Sequence, residues 1–141
     1  MALWIIYSIL SAVFAAMVAI FGKIGLQNID STLATTVRAI VMALFLFIIS
    51  LSLGKFSMLH TIKNKTLFFI VLSGVAGAMS WLFYFLALKT GIVTGVAAID
   101  RLSVVFVVIF AALFLSESLT WYTAIGALFM VIGAILMVIK K

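Results

Sequence analysis

Five long apolar runs occupy almost all of this 141-residue chain, and that pattern leaves few folds open. The runs are Leu3 to Gly22, Leu33 to Leu53, Leu67 to Leu88, Val96 to Leu115 and Trp121 to Ile139. Each is close to the ~20 residues an α-helix needs to cross a ~30 Å hydrocarbon layer. They are too long and too continuous for the alternating strands of a membrane barrel. The pattern predicts an all-α fold, a polytopic membrane bundle of five transmembrane helices over residues 3–22, 33–53, 67–88, 96–115 and 121–139. The connectors between them are too short to fold separately. Residues 1–141 are therefore expected to form one transmembrane domain, multi-pass in the cell membrane. The first run has no basic residues before it and is longer than a secretory h-region, so it reads as a retained helix.

Composition agrees. The chain is 68% hydrophobic and 9% charged, against the ~25% charged residues of a soluble domain. The net charge of +6 comes from lysines and arginines at the ends of the runs, not from a basic stripe. They read as topology determinants and headgroup contacts, which sets nucleic acid aside as a partner. There is no cysteine, and the one histidine, His60, lies in a polar connector without carboxylates nearby. No metal site or cofactor is expected. A phosphate-cradling glycine loop and a Ser/His/Asp set are both missing, so nothing points to an enzyme.

Five crossings put the two ends of the bundle on opposite sides. Lys55, Lys63 and Lys65 fall on one side; Lys23, Lys89, Lys140 and Lys141 fall on the other. An excess of Lys and Arg marks the cytoplasmic side. Adding Arg38 and Arg101 tips the count toward a cytoplasmic C-terminus, but the discounted count is nearly level. Dual insertion therefore stays open beside a single orientation. Trp4, Tyr7, Trp121 and Tyr122 fall at one interface in this threading, as aromatic anchors should.

Proline is absent, so any interruption of a helix must come from glycine or polar residues. Gly74, Gly77 and Ser80 in the third run are the candidates. Spacings of three and four also place Gly74, Gly77, Trp81 and Tyr84 on one helix face. Small residues beside two aromatics make a notch with a stacking wall that suits an aromatic or cationic solute. Close helix packing is the alternative reading. Arg38 and Asp100 enter the slab from the same side, on the order of 6–8 Å deep. Charges at such depth pair or face water. Their pairing is expected, with Arg101 reaching to headgroups. Asp100 either exchanges a proton that drives transport or only completes a structural ion pair. Glu117 either takes part in proton chemistry or caps the fifth helix. Gly126 and Gly133 lie one heptad apart and mark a subunit interface or a contact within the subunit. Gly91 and Gly95 read as turn residues.

Two stretches carry a resemblance. One is WLFYFLALKTGIVTGVAAIDRLSVVFVVIFAALFLSESLTW, residues 81–121, and the other is GALFMVIGAILMVIKK, residues 126–141. They resemble the EamA-type domain of the drug/metabolite transporter superfamily. The aromatic–Ala–Leu passage closing the third run, Leu115-Ser116-Glu117 closing the fourth, and Arg38 fit its pattern. The Asp100-Arg101-Leu102-Ser103 segment is most similar to short five-helix members, and places Ser103 with Asp100 and Arg101 on the expected pathway. Relatives often carry proline in the fourth helix, and this chain does not. The resemblance implies half of an inverted-repeat transporter, completed by a homodimer that is parallel or antiparallel. It also implies export of a small-molecule metabolite or drug-like solute through a cavity lined by the second, third and fourth helices. A lipid-linked-sugar flippase subunit and a non-transporting accessory subunit are the alternatives.

Overall fold

The computed structural model describes residues 2–139. Among these the chain is all-helical: α1 (Leu3–Gly25), α2 (Ser31–Ser52), a 3₁₀ helix (Lys55–Thr61), α3 (Asn64–Thr90), α4 (Val93–Asp100), α5 (Ser103–Phe114) and α6 (Trp121–Ile139). Five spans are long and apolar enough to cross a bilayer, α4 and α5 together making one of them, Val93–Phe114. The side chains are those of a lipid-immersed protein. Phe45, Leu113 and Leu136 are each more than half exposed. The buried hydrophobic residues described are few and mostly alanine: Ala19, Leu26, Phe85, Leu88, Ala98, Ala111 and Ala134. In water so much exposed apolar surface would drive aggregation; in hydrocarbon it carries no penalty. Lys140 and Lys141, half of the C-terminal-side lysines in the charge count, lie outside the described residues.

The chain divides into two compact units. The first holds α1 up to Phe21 and everything from Thr90 on. In it, α4 and α5 pack on α6. Gly95 makes the α4–α6 approach possible: a Cβ there would meet Ile92 Cγ1 at 3.1 Å and Val138 Cγ2 at 3.6 Å. Gly95 is thus a packing residue inside α4, not a turn residue. Gly91, with Ile92, makes up the short break between α3 and α4.

The second unit, Gly22–Lys89, holds the last turn of α1, then α2, the 3₁₀ helix and α3. Here the helix ends are tied. Lys23 Nζ donates to the Leu88 carbonyl at 2.6 Å and the Lys89 carbonyl at 3.3 Å, meeting the negative end of α3. Lys89 Nζ donates to the Ile29 carbonyl at 3.1 Å. Gly22 lets Phe85 and Leu88 pack against the end of α1, at 3.3 and 3.4 Å from where a Cβ would stand. Asn28 takes the left-handed conformation (φ 66°), which asparagine tolerates, to turn the chain. Asp30 then caps α2: its Oδ1 accepts from the Thr32 and Leu33 N–H groups at 2.9 and 3.0 Å. Those bonds, that to Leu33 first, hold the Asp30 carboxyl below the usual carboxylate range. The cap starts α2 at Ser31, two residues before the expected Leu33.

The fourth span departs from expectation. Residues 96–115 are not one helix; α4 ends at Asp100 and α5 begins at Ser103. Three i→i−3 bonds tighten the step: Leu102 N to Ile99 O (2.9 Å), Val104 N to Arg101 O (3.1 Å) and Val105 N to Leu102 O (2.9 Å). Asp100 and Ser103 flank it, residue types that compete with the helix for backbone partners. Gly74, Gly77 and Ser80, the candidates for any interruption, cause none: α3 runs unbroken from Asn64 to Thr90.

Candidate functional site

The site-bearing feature is a groove of about 720 Å³ between α2 and α3. The α2 wall carries Thr32, Thr35, Thr36, Arg38, Ala39, Met42, Ala43 and Leu46. The α3 wall carries Gly74, Gly77, Ala78, Trp81 and Leu82. The expected glycine–tryptophan face of α3 thus opens onto α2. A Cβ added at Gly74 or Gly77 would meet nothing within 4 Å. These glycines make room rather than admit a close helix neighbour. A second depression, about 500 Å³, is lined by Lys65, Thr66, Phe69, Ile70 and Ser73. All five belong to α3, so it is a dent in one helix face.

Arg38 and Trp81 bridge the groove. The guanidinium carbon stands 3.6 Å from the Trp81 ring centroid and 5.5 Å from that of Phe85. Trp81 is held edge-on by Tyr84, with centroids 5.5 Å apart and rings at 81°, and contacts Phe85 at 6.0 Å and 65°. Tyr84 therefore supports Trp81 from outside the groove lining. Arg38 lies seven residues after Ser31, the start of α2, which is ~10 Å along the axis at 1.5 Å per residue. A cation at the centre of a membrane helix costs on the order of 2.5–3.5 kcal/mol. A cation–π contact offsets about 0.5–2 kcal/mol of that. The guanidinium thus lies against aromatic rings, and Arg38 is itself part of the groove lining.

The threonines are committed differently. Thr35 Oγ1 donates to the Ser31 carbonyl at 2.7 Å, and Thr36 Oγ1 to that of Thr32 at 2.9 Å. Their protons stay on their own helix. Ser31, 1% exposed, has a hydroxyl without a hydrogen-bond partner among the described residues.

The remaining candidates belong to the other unit. Asp100, half-buried, and Arg101 and Ser103, both exposed, sit at the α4–α5 step. Asp100, the partner expected for Arg38, lies in the other unit; within its own unit Arg38 stands against aromatic rings. Glu117 does not cap α6. Thr120 does: its Oγ1 accepts from Thr123 N–H at 3.3 Å and pairs with the Thr123 hydroxyl at 2.7 Å. Glu117 instead follows Ser116, which turns left-handed (φ 54°), and its N–H reaches back to the Ala111 carbonyl at 3.3 Å. On α6, a Cβ at Gly126 or Gly133 would meet nothing within 4 Å. His60 is exposed on the 3₁₀ helix, and no cluster of metal-ligating side chains occurs among the described residues.

Sequence spacing found the α3 face but missed the three threonines and Met42 on α2. Their signal was there: Thr32, Thr35, Ala39, Met42 and Leu46 follow the helical spacing of three and four.

Residues 2–139 match the EamA-like transporter family. A relative from Sinorhizobium sp named "Uncharacterized transporter in cobO 3'region" is 40% identical over 136 residues, covering 96% of each chain. No solved structure gives a significant match. With five membrane-length spans and a match over nearly its whole length, the chain is a multi-pass membrane protein belonging to the EamA-like transporter family.

Proposed function

We propose that this protein carries a small organic solute across the membrane by alternating access, and that the groove between α2 and α3 receives the solute. The observation that supports this most is the Arg38–Trp81 bridge across a space of about 720 Å³. Solute sites are commonly ~300–1,000 Å³, mostly apolar, with a few placed polar groups. The groove has that make-up.

The α4–α5 step supplies the moving part in this reading. A 3₁₀ interruption inside a span is a common hinge, and Asp100 stands at it. Asp100 takes up a proton on one side and releases it on the other, which couples the step to a proton gradient. Arg101 reaches toward headgroups, and Ser103 offers a hydroxyl at the start of α5. Export is the direction the family resemblance favours.

The working unit is a homodimer, with an antiparallel pair recreating two inverted halves. The open glycine positions Gly126 and Gly133 on α6 are the proposed contact. The chain resides in the cell membrane and acts as a carrier, not an enzyme.

Purified protein reconstituted alone in liposomes tests this. Flux of a small organic solute is the expected result. Headgroup scrambling without solute flux points to a flippase subunit, and neither activity to an accessory subunit; both outcomes overturn the carrier reading. Labelling of a Lys141→Cys variant from both sides of intact cells is expected for dual insertion; labelling from one side removes the antiparallel pair.

A further inference from the structure

Resting on the carrier reading, we infer that the groove selects organic anions: a carboxylate on a small apolar or aromatic body. The sequence alone suggested an aromatic or cationic solute, because an exposed tryptophan face stacks rings and attracts cations. In the structure that face is already taken by the protein's own cation, with the Arg38 guanidinium 3.6 Å from the Trp81 centroid. A cationic solute arriving there would meet a like charge.

The charge of the groove is uncompensated from within its unit. The chain has three acids, Asp30, Asp100 and Glu117. Only Asp30 lies in the unit Gly22–Lys89, and its carboxylate is spent on the N–H groups of Thr32 and Leu33. Among the described residues of that unit, none accepts a hydrogen bond from Arg38. A guanidinium stacked on one face still presents a planar fork of N–H donors along its edge, the geometry that binds a carboxylate through two parallel bonds.

Arg38 is the one charged donor in the lining. The Thr35 and Thr36 hydroxyl protons are engaged with carbonyls of α2, so Arg38 is the donor on which an anion would sit. The rest of the lining is apolar, with Met42, Leu46 and Leu82 on its walls and open space over Gly74 and Gly77. A carboxylate therefore docks at Arg38 while its body lies along the glycine notch. The occupant is a free small molecule; a lipid headgroup is the competing source of the same negative charge.

Trp81 makes the test direct. The chain has three tryptophans, and a Trp4→Phe/Trp121→Phe variant leaves Trp81 as sole reporter beneath the guanidinium. The full chain in detergent is titrated with phenylacetate, phenethyl alcohol and phenethylamine, which share one body and differ in charge. Phenylacetate is expected to change Trp81 emission at concentrations about tenfold lower than the other two. Arg38→Gln removes that preference, and Arg38→Lys keeps part of it, with helicity by circular dichroism unchanged in both. Equal or tighter binding of phenethylamine overturns the inference. So does a preference that survives Arg38→Gln, or no response to any probe. A response to phosphatidylglycerol that phenylacetate does not displace also overturns it, by assigning the anion to lipid. The carrier reading is read separately: liposome flux of phenethylamine alone leaves a carrier and sinks the anion, whereas phenylacetate binding without flux leaves the site and sinks the carrier.

Discussion

The two units handle charge within the membrane in different ways. In the unit Gly22–Lys89 four charges have fixed partners: Lys23 and Lys89 bind carbonyls, Asp30 caps α2, and Arg38 lies on Trp81. In the unit from Thr90 on, Asp100 and Arg101 sit where the fourth span loses its regular helix. Fixed charges suit a binding wall, which must keep its shape as solute arrives and leaves. A charge at a backbone interruption suits a moving part, because the last bonds of α4 and the first of α5 re-form at low cost. In the proposed carrier, recognition falls to one unit and motion to the other.

The largest expected effect tests the recognition half. Trp81→Leu leaves Arg38 without its aromatic face, and solute binding is expected to fall by about tenfold or more. Equal binding in this variant would place recognition elsewhere. Next comes Asp100→Asn, which removes the carboxylate proposed to carry the coupling proton. Flux is expected to lose its dependence on a pH gradient while binding to the groove persists. Full transport with the pH profile intact would remove Asp100 from coupling. A double-mutant cycle between Arg38→Gln and Asp100→Asn sharpens the point. Near-additive effects on binding fit separate roles, and a coupling above ~1 kcal/mol would restore the ion pair expected from sequence.

Packing separates two kinds of glycine. Gly22→Leu drives a side chain into Phe85 and Leu88, and is expected to destabilise the protein by about 1–3 kcal/mol, read as thermal unfolding in detergent. Gly126→Leu enters open space, and is expected to leave unfolding unchanged while weakening the proposed dimer. Smaller still is the Asp30 cap. Its carboxyl titrates below its ordinary value of 3.8, so its contribution is complete above the unfolded value and is lost as pH falls through the folded one. Asp30→Asn is expected to remove that acid sensitivity from the unfolding midpoint. Ser31→Ala deletes a buried hydroxyl with no partner, and a change within ~1 kcal/mol of neutral, in either direction, is expected.

Much of the fold was legible because hydropathy alone decides which segments enter a bilayer. The helix ends were less so. Asp30 extends α2 backward to Ser31, and α3 runs on through Lys89 to Thr90 with Lys23 on its final carbonyls. Polar residues outside an apolar run still form helix when such partners satisfy them. The step at Asp100–Ser103 was hidden because neither proline nor glycine marks it. Helical periodicity placed Gly74, Gly77 and Trp81 on one face. That the opposing wall brings Arg38 follows from how α2 and α3 pair, which no local spacing encodes. The same gap separates the proposed anion preference from the solute suggested by sequence: a bare tryptophan face and one already holding a guanidinium look identical in sequence.

The claim that the α2–α3 groove is the solute path is tested most directly by thiol accessibility, which this cysteine-free chain makes clean. A Gly77→Cys variant in liposomes is exposed to a charged, membrane-impermeant methanethiosulfonate, with Leu113→Cys, an exposed apolar position on α5, as the lipid-facing control. The account predicts that Gly77→Cys is modified, that modification blocks flux, and that transported solute protects it, while Leu113→Cys stays unmodified. Flux that continues through a fully modified Gly77→Cys variant, or a Gly77→Cys variant that the reagent never reaches, would contradict it.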